Sequence, residues 1–221
     1  MISINQNGQQ GDKMNDKFFS LSEDKQHTIV DAGFRIFSQT SYKKTPVSEI
    51  ASEAKISKSL LFHYFQNKKE LYLFLWEHAA KLSMMELDAE KCYEKGNLFD
   101  QMEQVMEAKF KLLYRHPYMA NFVIRAFYEK DSEIHSAIQK NCDRLYAKKS
   151  KKLLEILDPN DYRPGLDLEM MYNQMYWAAE GYLLLMSNKG PLNPEQMEKD
   201  FRKMLIFWRN SFENPERNKK E

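Results

Sequence analysis

Apolar residues recur every three or four positions along most of this 221-residue chain, and the runs break at helix-length intervals. That spacing turns one stripe of each segment toward a core and marks packed amphipathic helices. Composition closes off the alternative. Val, Ile and Thr together supply 18 residues, while Leu alone supplies 22. A sheet needs β-branched side chains for its pleated faces. Gly and Pro, 7 each, are scarce beside the ~7% and ~5% of ordinary chains. The pattern predicts an all-α protein of about nine helices.

Several function classes fall away. Purely apolar runs such as Leu183 to Met186 are far short of a membrane span. The first 20 residues are polar and lack the apolar core of a secretion signal, so a cytoplasmic location is expected. Cys92 and Cys142 lie 50 positions apart and read as packing residues of a reducing compartment. The five histidines form no ligand pattern, so neither a metal nor another cofactor is expected. Lys+Arg is 33 against 32 for Asp+Glu, giving a net charge of +1. A generally basic nucleic-acid coat is excluded, and any electrostatic footprint must be local.

Along the chain, residues 1–20 read as a mobile arm. Ser22 is a candidate N-cap, with Glu23 and Asp24 in the first turn of a helix that should end near Thr40–Ser41. Thr45-Pro46 offers a capping hydroxyl followed by proline at the first helical position. Val47, Ile50, Ala51 and Ala54 then hold helical spacing until Lys55-Ile56-Ser57 interrupts. Ser57 caps a third helix with Leu61, Phe62 and Phe65 inward. From Lys68 a long fourth helix carries Leu71, Leu75, His78 and Leu82 on one side. Further breaks leave helical segments near 99–115, 118–128, 132–157, 167–187 and 194–213, the last opened by Asn193-Pro194. The tail beyond 213 is charged.

Two short helices joined by a tight turn, with a third packed across both, make a helix-turn-helix. Ala51 suits the crossing, where a larger side chain would force the helices apart, and Ile56 fills the turn. The third helix offers Lys58, Ser59, His63 and Tyr64 outward, donors and planar rings that suit a groove. Between residues 43 and 68 five lysines face two glutamates, so a basic patch exists on a neutral chain. The second lysine run, Lys148, Lys149, Lys151 and Lys152, lies far from this block and reads as a solvated face.

The segment from Thr45 to Leu71 resembles the DNA-binding region of TetR-family transcriptional regulators. The resemblance rests on Ile50-Ala51, the turn Ala54-Lys55-Ile56-Ser57, the run Phe62-His63-Tyr64-Phe65, and Asn67-Lys68 with Leu71. Ala32, Phe37 and Tyr42 match in the preceding helix, and the similarity covers about residues 25–75. Leu60 stands where many members carry a polar or small group, Phe62 replaces the more frequent Tyr, and Ser41 stands where Gly is common. The resemblance implies that Thr45 and the N-terminus of the second helix, with Val47, touch the phosphate backbone, and that Ser57 is also DNA-binding. Lys58, Ser59 and Leu60 would enter the major groove, His63 and Tyr64 would meet phosphate or a base edge, and Lys68 would grip a flanking phosphate. It further implies a helix-turn-helix domain over 21–68, with a ligand-sensing and dimerisation domain over 69–213. Residues 1–20 would be a disordered arm and 214–221 a flexible tail.

The C-terminal segments support that division. Between 167 and 187 apolar residues surround the helix, and 194–213 is broadly apolar, as a dimer bundle requires. Leu184, Leu205, Trp208 and Phe212 are the candidate dimer contacts. Phe110, Tyr114, Phe122, Phe127, Tyr176, Trp177 and Glu180 are the candidate pocket residues, since adaptable aromatic side chains suit a permissive apolar site. The expected function is a homodimeric, ligand-responsive repressor, not an enzyme. It would release a palindromic double-stranded DNA operator when a small apolar or aromatic effector binds. Two other readings stay open: a helical protein-interaction module, and a helical-bundle enzyme built around a buried acid such as Glu180.

Overall fold

The computed structural model describes residues 16–93, 96–143, 157–190 and 192–216. Residues 1–15 of the expected arm, the lysine run 148–152, most of the second half of the 132–157 segment and the tail from 217 lie outside the described residues. The helices are α1 (Asp16–Phe19), α2 (Glu23–Phe37), α3 (Val47–Glu53), α4 (Lys58–Phe65), α5 (Lys68–Ala89), α6 (Leu98–Arg115) and α7 (Pro117–Phe127). They continue with α8 (135–143), α9 (Leu168–Lys189) and α10 (Pro194–Phe212). A single 3-10 turn spans Pro159–Asp161, and no strand occurs among the described residues beyond one isolated bridge, Tyr162 with Glu213. The all-α expectation holds.

The helix that sequence reading did not anticipate is α1. Phe18 is fully buried, with its ring 5.0 Å from Phe65, 5.1 Å from Phe74 and 6.4 Å from Tyr64. The Gln26 amide bonds back to the carbonyls of Phe19 (3.2 Å) and Leu21 (2.8 Å), fixing α1 to α2. Burying one Phe contributes about 2–3 kcal/mol, enough to hold a single helical turn that cannot stand alone. Residues 16–19 therefore do not belong to the arm expected over 1–20.

Three start and stop signals act differently from their sequence reading. Ser22 holds the N-cap position of α2, yet its side chain makes no capping bond. Thr45 is not the cap of α3; Pro46 is, in extended conformation. The second helix stops at Phe37, before Thr40: Ser38 N–H still bonds the Phe34 carbonyl, but Gln39 N–H turns onto that of Ile36 and the chain then closes a tight loop through 41–45. Ser57, Asn97, Asp167 and Asn193 do cap their helices through side-chain oxygens.

Contacts divide the chain into two compact units, and the division does not fall at Lys68. The first unit comprises the described residues up to Lys81 together with Tyr118–Gln139; the second comprises Leu82–Pro117 and the described residues from Lys140 onward. In the first, an aromatic seam joins Phe37, Tyr72 and Phe122, with Phe37–Tyr72 at 4.8 Å and Tyr72–Phe122 at 4.9 Å. Gly33 on α2 faces Leu75 on α5, where an added Cβ would lie 2.6 Å from Leu75 Cδ1. In the second, Leu98, Phe99, Tyr162, Met171, Met175, Leu205 and Trp208 form one core of α6, α9 and α10. Glu213 is buried there and accepts from Asn97 Nδ2 at 2.6 Å, while Arg209 reaches Asp100 at 2.9 Å.

The Gly33 contact yields a graded expectation. Ala at this position gains about 1 kcal/mol of helix propensity, which offsets the push on a flexible Leu75 terminus. Gly33→Ala should therefore unfold within about 1 kcal/mol of wild type. Gly33→Leu should lose about 2–3 kcal/mol by overpacking. Denaturant midpoints measure both, and a Leu variant as stable as wild type would refute the close approach.

Candidate nucleic-acid interface

The α3–α4 corner is closed by backbone. Ala54 N–H bonds the Ile50 carbonyl at 2.9 Å, and Ile56 N–H bonds that of Ala51 at 3.0 Å. Lys55 between them takes φ of +56°, a left-handed conformation that side chains resist. Ala51 is 2% exposed, so the small residue of α3 is packed inside the protein. Arg35 pairs with Glu53 and ties α2 to α3, an exposed pair of the class that contributes under about 1 kcal/mol.

On α4 the side chains sort by face. Leu61, Tyr64 and Phe65 turn inward, while Ser57, Lys58, Ser59, Leu60 and His63 are exposed. Ser59 and His63 are four apart and Leu60 and His63 three apart, so the three form one patch. Ser57 Oγ accepts the Leu60 N–H at 3.1 Å and shares a 2.9 Å hydroxyl contact with Ser59. The Lys58 ammonium lies over the Phe62 ring, 5.6 Å from its centroid.

Four of the nine expected contact residues sit differently. Thr45 is 2% exposed, and its hydroxyl is used internally by the Ser41 carbonyl (3.0 Å) and the Thr40 hydroxyl (2.7 Å). Its side chain is structural. Tyr64 is buried beside Phe18 and offers no exposed ring. Val47 is half-buried at the start of α3. Lys68 folds back over the Tyr42 ring, 4.8 Å from its centroid, and donates to the Lys43 carbonyl at 3.2 Å. Burial lowers the Lys68 pKa, against the opposing pull of Glu133, Asp131 and Glu129.

Those acids belong to a contact that sequence reading missed. The 38–45 loop is held by the end of α7 and the turn after it. Arg125 Nε donates to the Ser38 carbonyl at 2.8 Å, and Glu129 accepts the Tyr42 N–H at 2.7 Å. The Tyr42 phenol is pushed far above its ordinary pKa, first by burial and then by its hydrogen bond to Glu133. These partners lie 87 positions apart. No local period announces such a pair.

The candidate pocket residues do not form one group. Phe122 is fully buried among Phe34, Phe37 and Tyr72, and Phe127 pairs with Tyr128, all within the first unit. Phe110 packs near Phe201 (6.3 Å), Tyr114 is exposed and donates to Glu198 at 2.8 Å, Tyr176 donates to Glu180, and Trp177 is 57% exposed. The candidate dimer residues divide as well. Leu205 and Trp208 are core, at 6% and 7% exposure, and Phe212 packs against that core. Leu184 is exposed, and so are Leu185, Ile206 and Phe207. Both thiols are raised, Cys142 to about 11, chiefly by burial, and are protonated at neutral pH.

Residues 29–74 match the family model described as bacterial regulatory proteins, tetR family. Among curated proteins, the chain is similar to the HTH-type transcriptional regulator HbdR of Aromatoleum sp. (strain CIB), 40% identical over 55 residues, 25% of this chain and 24% of that protein. It is also similar to the HTH-type regulator YuxN of Bacillus subtilis (strain 168), 39% identical over 51 residues, 23% of this chain and 18% of that protein. The matched segment thus spans a quarter or less of these relatives. Among solved structures, a TetR family transcriptional regulator from Chloroflexus aurantiacus aligns with a TM-score of 0.63 at 16% identity, covering 90% of this chain and 98% of that one. The regulator FadR from Bacillus subtilis, solved with stearoyl-CoA, aligns with a TM-score of 0.62 at 18% identity, covering 82% and 96%. At these identities the likeness is one of fold.

The strained turn gives a direct expectation. Lys55→Gly removes the left-handed penalty of about 1 kcal/mol, less the entropy that a glycine adds to the unfolded chain. The melting temperature should rise by about 1–3 °C. A fall would show that the turn does not carry that strain.

Proposed function

We propose that the chain, whose residues 29–74 match the tetR family model, is a sequence-specific DNA-binding repressor whose operator affinity is set by a small effector. The observation that carries this reading is the solvent-facing first turn of α4. Ser57, Lys58, Ser59, Leu60 and His63 all stand outward there, on a helix whose back is sealed by Leu61, Tyr64 and Phe65. A recognition helix must be rigid behind and free in front, because its first residues meet base edges while its neighbours position it on phosphate. No helix among the described residues is long and apolar enough to cross a membrane.

The effector reading rests on the second unit. Phe110, Tyr114, Tyr176, Trp177 and Glu180 remain its candidates for effector contact, whereas Phe122 is a core residue of the first unit. An apolar or aromatic small molecule suits them. The solved complex of FadR with stearoyl-CoA supports a ligand with a long apolar part. Such a molecule acts on the operator only through its different affinity for two conformations, a coupling of about 1–3 kcal/mol.

The dimer reading rests on the outer faces of α9 and α10. Trp177, Leu184 and Leu185 on one helix, and Ile206 and Phe207 on the other, expose large apolar surface, with Leu185 at 62% and Phe207 at 65%. Exposed apolar residues grouped in this way mark association surfaces. Gly181, exposed on α9 with nothing within 4 Å of an added Cβ, lets a partner helix approach closely. Leu184 keeps its place in the proposed interface, whereas Leu205 and Trp208 hold the protomer together.

Selection from random DNA tests the operator. It should return a two-fold symmetric sequence, because a dimer presents two recognition helices. Lys58→Ala should lower the slope of log affinity against log salt by about one for each phosphate contact removed. Lys68→Ala should lower it less, since that ammonium is engaged with Tyr42 and Lys43. Addition of stearoyl-CoA or an aromatic acid should weaken operator binding by about 5- to 150-fold for a true effector. If selection enriched no sequence, the operator reading would fail. Two variants separate the interface from the core. Phe207→Glu should give folded monomers by light scattering and circular dichroism, whereas Trp208→Glu should unfold the second unit. A Phe207→Glu protein that remained dimeric would sink this interface.

A further inference from the structure

Leu60 is the residue on the recognition helix whose chemistry fits a groove least well at first sight. It is 37% exposed in the first turn of α4, surrounded by Ser59, Lys58 and His63. Its neighbours are partly spoken for. The hydroxyls of Ser57 and Ser59 lie 2.9 Å apart and share a hydrogen bond, and Ser57 Oγ also accepts the Leu60 N–H. The Lys58 ammonium is drawn back over the Phe62 ring. Exposed beside them in this turn is a branched apolar side chain. Its backbone N–H is fixed by the Ser57 cap.

The major groove offers such a side chain one kind of partner. Guanine, adenine and cytosine present donors and acceptors there, which an approaching leucine would strip of water without replacing it. Thymine alone among the ordinary bases presents a methyl group, at C5. We infer that Leu60 is a specificity-determining residue that reads a thymine C5-methyl in each half-site. This rests on the operator reading above and deepens it. Leu60 attracts thymine by apolar contact and rejects the other bases by desolvation, so one apolar side chain discriminates in both directions. Ser59, small beside it, lets the helix come close enough for that contact. The prediction is chemical, not only statistical: the recognised feature is the methyl, not the base pair.

The test uses the full-length protein and the sequence enriched from random DNA. Each thymine of a half-site is replaced singly by deoxyuridine, which removes the methyl and keeps every hydrogen-bonding edge. Removing one buried methyl should weaken binding roughly fourfold at one position per half-site. Other thymines should respond by less than twofold. At the sensitive position 5-methylcytosine should bind better than cytosine, since it restores the methyl. In Leu60→Ala the deoxyuridine penalty should shrink to near unity, whereas Leu60→Met, apolar and similar in volume, should retain it. The thermal unfolding of both variants checks that the fold is intact. A penalty unchanged in a folded Leu60→Ala, or no sensitive thymine in an operator that wild type binds, would overturn the role of Leu60 and leave the operator reading standing. Failure to enrich any sequence would instead remove the operator reading itself.

Discussion

Everything the first unit does depends on aromatic rings that fill the space behind the helix-turn-helix. Phe18, Phe65 and Phe74 meet within about 5 Å of one another, and Phe37, Tyr72 and Phe122 form a second group at similar distances. His78 stacks near both, against Phe34 and Phe74. Large rings bury much area with few rotatable bonds, so they fix helices of only seven and eight residues that have no stability of their own. The short helices are therefore positioned by tertiary packing, and local propensity contributes little.

That packing leaves the front of α4 without a structural duty. A helix whose outer face had to help close a core would carry large apolar groups there. Here the inward stripe is complete with Leu61, Tyr64 and Phe65, so the outward stripe can hold serines, a histidine, a lysine and one leucine. The same economy fixes the loop before α3. Glu129 and Arg125 satisfy backbone groups at Tyr42 and Ser38, so the entry to the helix-turn-helix is hydrogen-bonded to α7 and the turn that follows it. Groups buried without such partners would cost about 1–3 kcal/mol each.

The helices were legible in the sequence because apolar spacing and side-chain caps are local signals. Asn97, Asp167 and Asn193 stand at the starts of their helices and act there. Reading failed where a residue had two possible uses. Thr45 suits a cap or a buried hydroxyl, and only the loop through Ser41 decides between them. Trp208 and Phe207 are adjacent on a helix that is apolar around much of its circumference, so periodicity does not say which of them is core. Lys68 was legible as a cation close after α4. That Tyr42 would hold it was not, because the two lie on opposite ends of the helix-turn-helix segment. The first unit's boundary escaped for a related reason: Phe122, Arg125 and Glu129 join it from far along the chain.

That distant contribution has a consequence for how the protein is born. The chain leaves the first unit after Lys81 and re-enters it at Tyr118, with 82–117 belonging to the other unit. Both ends of this excursion fall at or within helices, α5 and α7, not in a flexible linker. During synthesis the helix-turn-helix therefore emerges without Phe122, Arg125 and Glu129. At ~5–20 residues per second, the segment through Gln139 follows only after roughly 3–12 s. For that interval the rings of Phe37 and Tyr72 lack a neighbour, and the Tyr42 N–H lacks its carboxylate. The nascent segment is an unfinished aromatic surface, open to chaperones until Phe122 arrives.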